Sequence, residues 1–215
     1  NIPSLLVRIG KLLSEQGEYD LALQFFLEQF RVEKVFLGPN NPELAITLNY
    51  IGQTLHCTQQ LEEALSFYGD GLKLLQRRVV NSKPMPELPI YSTIMFNVGE
   101  VHYSLGVFDK AIDVFGQAVE QRRIIDKNDL HMSNMLYRMG GAQLEVGRVG
   151  AAVKSYNEAL RIRRLLSGND HISVAEVLFD IARIHELKGE YSQALNNYNE
   201  TLRIETLVLG RNHIH

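Results

Sequence analysis

The sequence predicts an all-α solenoid: five helix–turn–helix hairpins stacked in series and curving into a right-handed superhelix. Three observations carry this. A ladder of small and aromatic residues recurs five times: Gly10, Gly17, Ala22, Phe26, Gln29; Gly52, Gln59, Ala64, Tyr68, Gly71; Gly99, Gly106, Ala111, Phe115, Ala118; Gly140, Gly147, Ala152, Tyr156, Ala159; and Ala182, Gly189, Ala194, Tyr198, Thr201. The alanines at 22, 64, 111, 152 and 194 lie 42, 47, 41 and 42 residues apart, and a fixed period of that size marks a repeat array. Finally, the stretches between rungs are apolar at helical spacing and are broken by Gly, Pro and Asn clusters.

Each rung has a physical reason. The first two rungs stand about two helical turns apart and so share one helical face. The second, Gly147 in the fourth copy, ends the helix by taking the left-handed conformation without a Cβ penalty. A second helix then starts near Val149. Gly140, Ala152 and Ala159 let two helix backbones approach closely, and Tyr156 fills the groove beside Ala152. Such a hairpin cannot bury its apolar face alone and needs neighbours.

Taken in order, repeat one spans about 2–40, with a stripe of Leu6, Ile9, Leu12 and Leu13 in its first helix. Its second helix, Tyr19–Phe36, turns Leu23, Phe26, Leu27 and Phe30 inward. Gly38-Pro39-Asn40-Asn41 is a turn, and Pro42 suits the first turn of the next helix. Repeat two spans 42–80, with Gln59 in place of the turn glycine and Leu61, Leu65 and Tyr68 on its stripe. Gly69 and Gly71 weaken its second helix by roughly 1 kcal/mol each. An irregular exposed loop at 81–89, with three prolines, accounts for the longer step. Repeats three, four and five span about 89–126, 129–166 and 170–210, with Phe96, Val98 and Val101 in the first helix of repeat three and Asp170 as the N-cap of repeat five. Arg77-Arg78, Arg122-Arg123 and Arg163-Arg164 stand near the ends of second helices, where cations complement the helix dipole.

The 215 residues carry 22 basic and 25 acidic side chains, a net charge of −3 that argues against a nucleic-acid or anionic-membrane surface. The single cysteine, Cys57, allows no internal disulfide and points to a reducing, intracellular compartment, the cytoplasm first. There is no membrane-spanning apolar run and no signal peptide. The sequence starts without Met inside a helical pattern and stops where another repeat would begin, which reads as a piece of a longer protein.

The ladder resembles the tetratricopeptide repeat, whose ordinary period is about 34 residues. The longer period here resembles the repeats of kinesin light chains and light-chain-like proteins, and the connectors Phe36–Pro42, Leu165–His171 and Leu209–His213 carry the likeness. The resemblance implies a protein-binding scaffold whose paired asparagines in each first helix face bound peptide. The matching pairs are Val7-Arg8, Asn49-Tyr50, Phe96-Asn97, Tyr137-Arg138 and Phe179-Asp180, so only Asn49 and Asn97 are retained. The Lys and Asn clamp of chaperone-binding members falls on Val7 and Lys11 and is not reproduced.

No catalytic constellation stands out. His102 and His185 recur in equivalent places but two repeats apart, too far to share an ion. His131, His171 and His213 lie in connectors, the last two as cap or turn residues, and no metal or cofactor is expected. His185-Glu186 lacks the second histidine of a zinc-protease helix, Gly69-Asp70-Gly71 follows no strand, and Cys57 has no basic partner to activate it. Asn199-Glu200-Thr201 matches a glycosylation acceptor by chance within a helix. The expectation is a non-enzymatic interaction scaffold for a protein or peptide partner. First helices line the concave side. By helical geometry its groove receives Asn49, Gln53, His56, Phe96, Asn97, Glu100, Tyr103, Asn134, Tyr137, Arg138 and Arg183. The alternatives are a permanent subunit of a large assembly, using convex or edge surfaces, and single-stranded RNA binding by the arginine pairs and aromatics.

Overall fold

The computed structural model describes residues 2–76, 89–126 and 128–212. Among these the chain forms ten α-helices and no strand: α1 (Ile2–Glu15), α2 (Tyr19–Leu37), α3 (Leu44–Cys57), α4 (Leu61–Gln76), α5 (Pro89–Ser104), α6 (Phe108–Ile125), α7 (Leu130–Glu145), α8 (Val149–Ser167), α9 (Ile172–Leu187) and α10 (Tyr191–Asn212). They fall into two compact units, Asn1–Val107 and Phe108–His215. In the first, α1/α2 and α3/α4 are hairpins, and α5 packs on α4 and reaches α3. Its core is Phe26, Ile51, Leu55, Tyr68, Leu75, Ile94 and Val101. In the second, α7/α8 and α9/α10 are hairpins, α6 packs on α7, and α8 packs on α9. Its core gathers Tyr156, Leu160, Val174, Leu178, Ile181 and Ile204.

One turn closes every first helix. Gly17, Gly106, Gly147 and Gly189 all have φ between 71° and 80°. In each case the next amide reaches back to the helix's last turn: Glu18 N–H to Leu13 O at 2.9 Å, Val107 to His102 at 2.9 Å, Arg148 to Gln143 at 2.8 Å and Glu190 to His185 at 2.8 Å. This is the glycine-closed C-terminal motif that satisfies orphan carbonyls. Gln59 adopts the same conformation at φ 63°, with Gln60 N–H to Leu55 O at 2.8 Å. The hairpin geometry imposes a backbone that a non-glycine residue adopts only at a cost of about 1 kcal/mol.

The next contact is between glycine and ring. A Cβ at Gly10 would lie 2.6 Å from the Phe26 ring, one at Gly52 2.5 Å from Tyr68, and one at Gly140 3.0 Å from Tyr156. The aromatics of α2, α4 and α8 therefore rest on bare backbone of their partner helices. Consecutive repeats are tied from one position, the residue three turns past the ladder alanine. Glu33 accepts from Thr47 at 2.6 Å, Arg122 pairs with Asp129, and Arg163 donates to Ser173 O and to Glu176, while Leu75 is fully buried at the same position.

Several expectations are corrected. Arg122, Arg123 and Arg164 do stand in the last turns of α6 and α8, and Arg122 and Arg163 also tie repeats together. Arg122 is a half-buried inter-repeat tie and Arg163 a buried one, whereas Arg164 is exposed; Arg77-Arg78 and the 81–88 stretch lie outside the described residues. Pro89 is the first residue of α5 rather than loop. Leu12 and Leu27 are exposed, and α2 instead buries Gln29, whose amide donates to Thr47 and Glu33. Gly71 marks a close approach, 3.2 Å from Ile94 Cδ1 for a notional Cβ, whereas Gly69 has open space. Pro42 precedes α3 by two residues instead of opening it. The N-cap of α9 is His171, whose Nδ1 accepts from Ser173 N–H at 3.2 Å, because the helix starts one residue later than expected; Asp170 pairs with Arg203. Gly210 does not end α10. Gly38 is followed by Pro39 and Gly168 by Asn169-Asp170, whereas Gly210 is followed by Arg211, a good helix former. His213 lies outside the described residues. Thr201 of the Asn-Glu-Thr triplet is buried in α10, its hydroxyl donating to Asn197 O.

Candidate functional site

The first unit contains a cleft of about 510 Å³ walled by the inner faces of α1, α3 and α5. Its floor is aromatic. Phe26 and Tyr68 reach into it from the second helices because Gly10 and Gly52 let their rings pass flat across the first ones. Phe26 stacks on Tyr50 at 5.3 Å, and the Lys11 ammonium sits 4.5 Å over the Tyr50 ring. Phe96 adds a further aromatic, and Glu15, Gln53, His56, Cys57 and Glu100 supply polar groups. The Tyr68 hydroxyl is the most informative atom. Its residue is 0% exposed, and the oxygen has no hydrogen-bond partner among the described residues. Burial, reinforced by Cys57 and Glu100, raises its pKa well above the usual tyrosine value, so it stays a protonated donor.

Five expected groove residues of this unit line the cleft: Gln53, His56, Phe96, Asn97 and Glu100. His56 also bonds Ser104 at 3.0 Å. Asn49 and Tyr103 stand outside the lining. Asn49 is buried and accepts from the Asn97 amide at 2.7 Å. The two retained asparagines therefore spend their strongest contact on each other. The floor residues Phe26, Tyr50 and Tyr68 were missed. Their signal was the ladder itself: an aromatic packed against a glycine must project across that helix toward its far face.

In the second unit, Tyr137, Asn134 and Arg183 converge on Arg163 and Asp180. Tyr137 donates to Asp180 at 2.7 Å, and Arg183 donates to the same carboxylate at 3.4 Å. Arg163 lies 4.8 Å over the Tyr137 ring and donates to Asn134 at 3.1 Å and Ser133 at 3.2 Å. Burial first, and then the bond to Asp180, raises the Tyr137 pKa. Arg138 is half-buried beside this network. The Tyr137–Asp180 bond joins the same two ladder positions as Asn49–Asn97, so one inter-repeat link recurs with different chemistry. Among the described residues no three His, Cys, Asp or Glu side chains converge as a metal site, and no helix is long and apolar enough to cross a membrane.

The tetratricopeptide repeat family model matches residues 1–77 and 131–205, most of the chain. The chain belongs to the tetratricopeptide repeat family. Solved structures agree on a helical-repeat solenoid fold. BtubC (BKLC) from P. vanneervenii superposes with a TM-score of 0.83 at 17% identity, over 97% of this chain and 83% of that one. A putative kinesin light chain of nearly identical TPR-like repeats from Podosopora anserina gives 0.78 at 13% identity, over 97% and 98%. A Rap protein complexed with Competence and Sporulation Factor gives 0.68 at 14% identity, over 93% of this chain and 52% of that one. No curated protein matches this tetratricopeptide repeat chain in sequence.

Proposed function

We propose that this tetratricopeptide repeat chain is a non-enzymatic scaffold of the cytoplasm that holds an extended segment of a partner protein in the α1–α3–α5 cleft. The mixed lining of the cleft, aromatic rings beside amide and carboxylate groups, carries the reading. The rings of Phe26, Tyr50 and Phe96 offer an apolar bed for side chains, and Gln53 and Glu100 stand at hydrogen-bonding positions along it. An extended peptide presents both kinds of group in alternation. The Rap protein solved with Competence and Sporulation Factor shows that a fold of this class can be captured with a bound factor. A net charge of −3 favours such a partner over RNA.

The test is selection of displayed random peptides on the chain, followed by titration of the selected sequences. Tyr50→Ala, which strips a ring from the floor of the cleft, should weaken them about tenfold. The pair Gln53→Ala with Phe96→Ala should abolish measurable binding, while Arg183→Ala in the second unit leaves it unchanged. Selected peptides that bind all variants equally would remove the cleft from the proposal.

A further inference from the structure

Two neighbouring grooves of the second unit share a plan and differ in their wiring. In each, two second helices flank the first helix between them: α6 and α8 about α7, then α8 and α10 about α9. The first groove is bridged twice. Arg123 of α6 donates to Glu158 of α8 at 2.8 Å, and Ser155 of α8 donates to Gln143 of α7 at 2.9 Å. At the same ladder positions the second groove has Arg164 for Arg123, Glu200 for Glu158, Asn197 for Ser155 and His185 for Gln143. Neither bridge forms there. Glu200 accepts twice from Arg203, at 2.9 Å each, and Arg203 also reaches Asp170. His185 bonds Glu190. Arg164 acts on Glu200 at longer range but makes no ion pair among the described residues, and it is exposed.

The unbridged groove is a cavity of about 380 Å³. Leu160, Leu178 and Ile181 make its apolar floor. Its walls carry Arg164 and the amides of Asn157, Gln193, Asn196 and Asn197. Among the described residues none of these four amides has a side-chain hydrogen bond, and no carboxylate lines the cavity. The exposure of the α10 wall belongs to the ladder and not to its place in the chain. Glu63 and Ser66 of α4, and Lys110 and Asp113 of α6, hold the positions of Gln193 and Asn196. They are exposed too, on helices that have a further helix packed after them.

We infer that the α8–α9–α10 groove is a second binding site, for an acidic segment of a protein. An Asp or Glu side chain of that segment pairs with Arg164, its main chain meets the wall amides, and an aliphatic side chain rests on the floor. A guanidinium presents forked donors that match a carboxylate. Each Asn or Gln amide both donates and accepts, as the N–H and C=O groups of a peptide require. A lining without carboxylates spares an acidic ligand like-charge repulsion. The apolar floor suits several residues of chain rather than a lone small anion. The site stands whether or not the α1–α3–α5 cleft binds.

Selection of end-blocked random heptapeptides tests this, on a chain carrying Gln53→Ala and Phe96→Ala so that the cleft contributes nothing. Asp or Glu should be enriched at one position, with an aliphatic residue close by. Arg164→Gln should weaken a selected peptide about tenfold or more, and should leave its analogue with the acid replaced by the amide nearly unaffected. Arg203→Gln lies outside the lining, yet it frees Glu200 to take Arg164 as Glu158 takes Arg123. It should weaken binding several-fold, and adding Glu200→Gln should restore it. All these sites are at least partly exposed, so circular dichroism should show every variant folded. On nitrogen-15 labelled chain, the side-chain amide resonances of Asn157 and Asn196 should move with the peptide. Selection without an acidic preference, Arg164→Gln or Arg203→Gln chains that bind like the parent, or inorganic phosphate displacing the peptide as well as free peptide does would each overturn the inference.

Discussion

Replacing Gly52 with alanine should destabilise the chain, although alanine is the better helix former by about 1 kcal/mol. The new Cβ would stand 2.5, 2.8 and 2.8 Å from three atoms of the Tyr68 ring. Carbon atoms in contact prefer about 3.5–4.0 Å, so the overlap approaches 1 Å on a rigid group. Tyr68 is fully buried and cannot swing out to solvent. Overpacking costs typically about 1–3 kcal/mol, and a rigid, enclosed neighbour places this site at the upper end. Subtracting the propensity gain leaves a net loss of about 2 kcal/mol. The same substitution at Gly69 has the opposite sign. No heavy atom lies within 4 Å of the notional Cβ, so only the gain of about 1 kcal/mol remains. Gly140→Ala falls between them, because its closest ring contacts are 3.0–3.1 Å. Urea titration followed by far-UV circular dichroism orders the three by midpoint at constant slope. A Gly52→Ala protein as stable as the parent, or a Gly69→Ala protein that loses as much as Gly52→Ala, would refute the ring-on-backbone account of the ladder.

Gln59→Gly should stabilise the chain by about 0.5–1 kcal/mol, the relief of a left-handed residue less the entropy that glycine adds to the unfolded chain; urea midpoints read it. Arg163→Met should cost about 2 kcal/mol in the same assay and Arg164→Met close to nothing, because only the first is buried in charge-assisted hydrogen bonds. In a double-mutant cycle on Asn49→Ala and Asn97→Ala, the coupling should reach about 1 kcal/mol, since the two amides bond each other. Asp129 gives a pH signature. Burial pushes its pKa up but is outweighed by the hydrogen bonds from Arg122 and His131 N–H and by the Arg122 charge, so the folded value lies below the unfolded one. Its contribution is complete above the ordinary carboxylate range and is lost as pH falls through the folded value. Asp129→Asn should therefore flatten the acid limb of a stability-against-pH curve.

The parts of this structure set by a single residue's own geometry were legible in the sequence. Gly17, Gly106, Gly147 and Gly189 announce a left-handed turn because little else adopts it cheaply, and their spacing marks out the hairpins. The helical period places Gln53, Phe96 and Glu100 on one inner face, and all three line the cleft. Partnerships were not legible. Asn49 and Asn97 are 48 residues apart, and a periodic pattern gives the face of each without saying that they meet. Arg163 and Arg164 are neighbours of one type, yet one is buried and the other exposed, because a rotation of about 100° per residue separates a tie from a surface charge. His171 displaced Asp170 as a cap for a similar reason: helix ends shift by a residue when a neighbour captures the expected capping group, here Arg203.

The ladder and the ties answer different demands. Small and aromatic rungs fix how a hairpin closes and vary little: Gly10 with Phe26, Gly52 with Tyr68, Gly140 with Tyr156. The tie position varies freely, as Glu33, Leu75, Arg122 or Arg163, and each is matched to what the next repeat offers: a threonine hydroxyl, an apolar core, an aspartate, or a serine carbonyl with a glutamate. A buried charge is tolerated only beside its partner. If Arg163 met the apolar surroundings of Leu75, or if Leu75 faced Asp129, the junction would strand a charge. Hairpin closure thus makes the repeats alike, and the tie position makes their order specific. The same logic singles out Tyr68, whose hydroxyl is buried yet has no partner among the described residues.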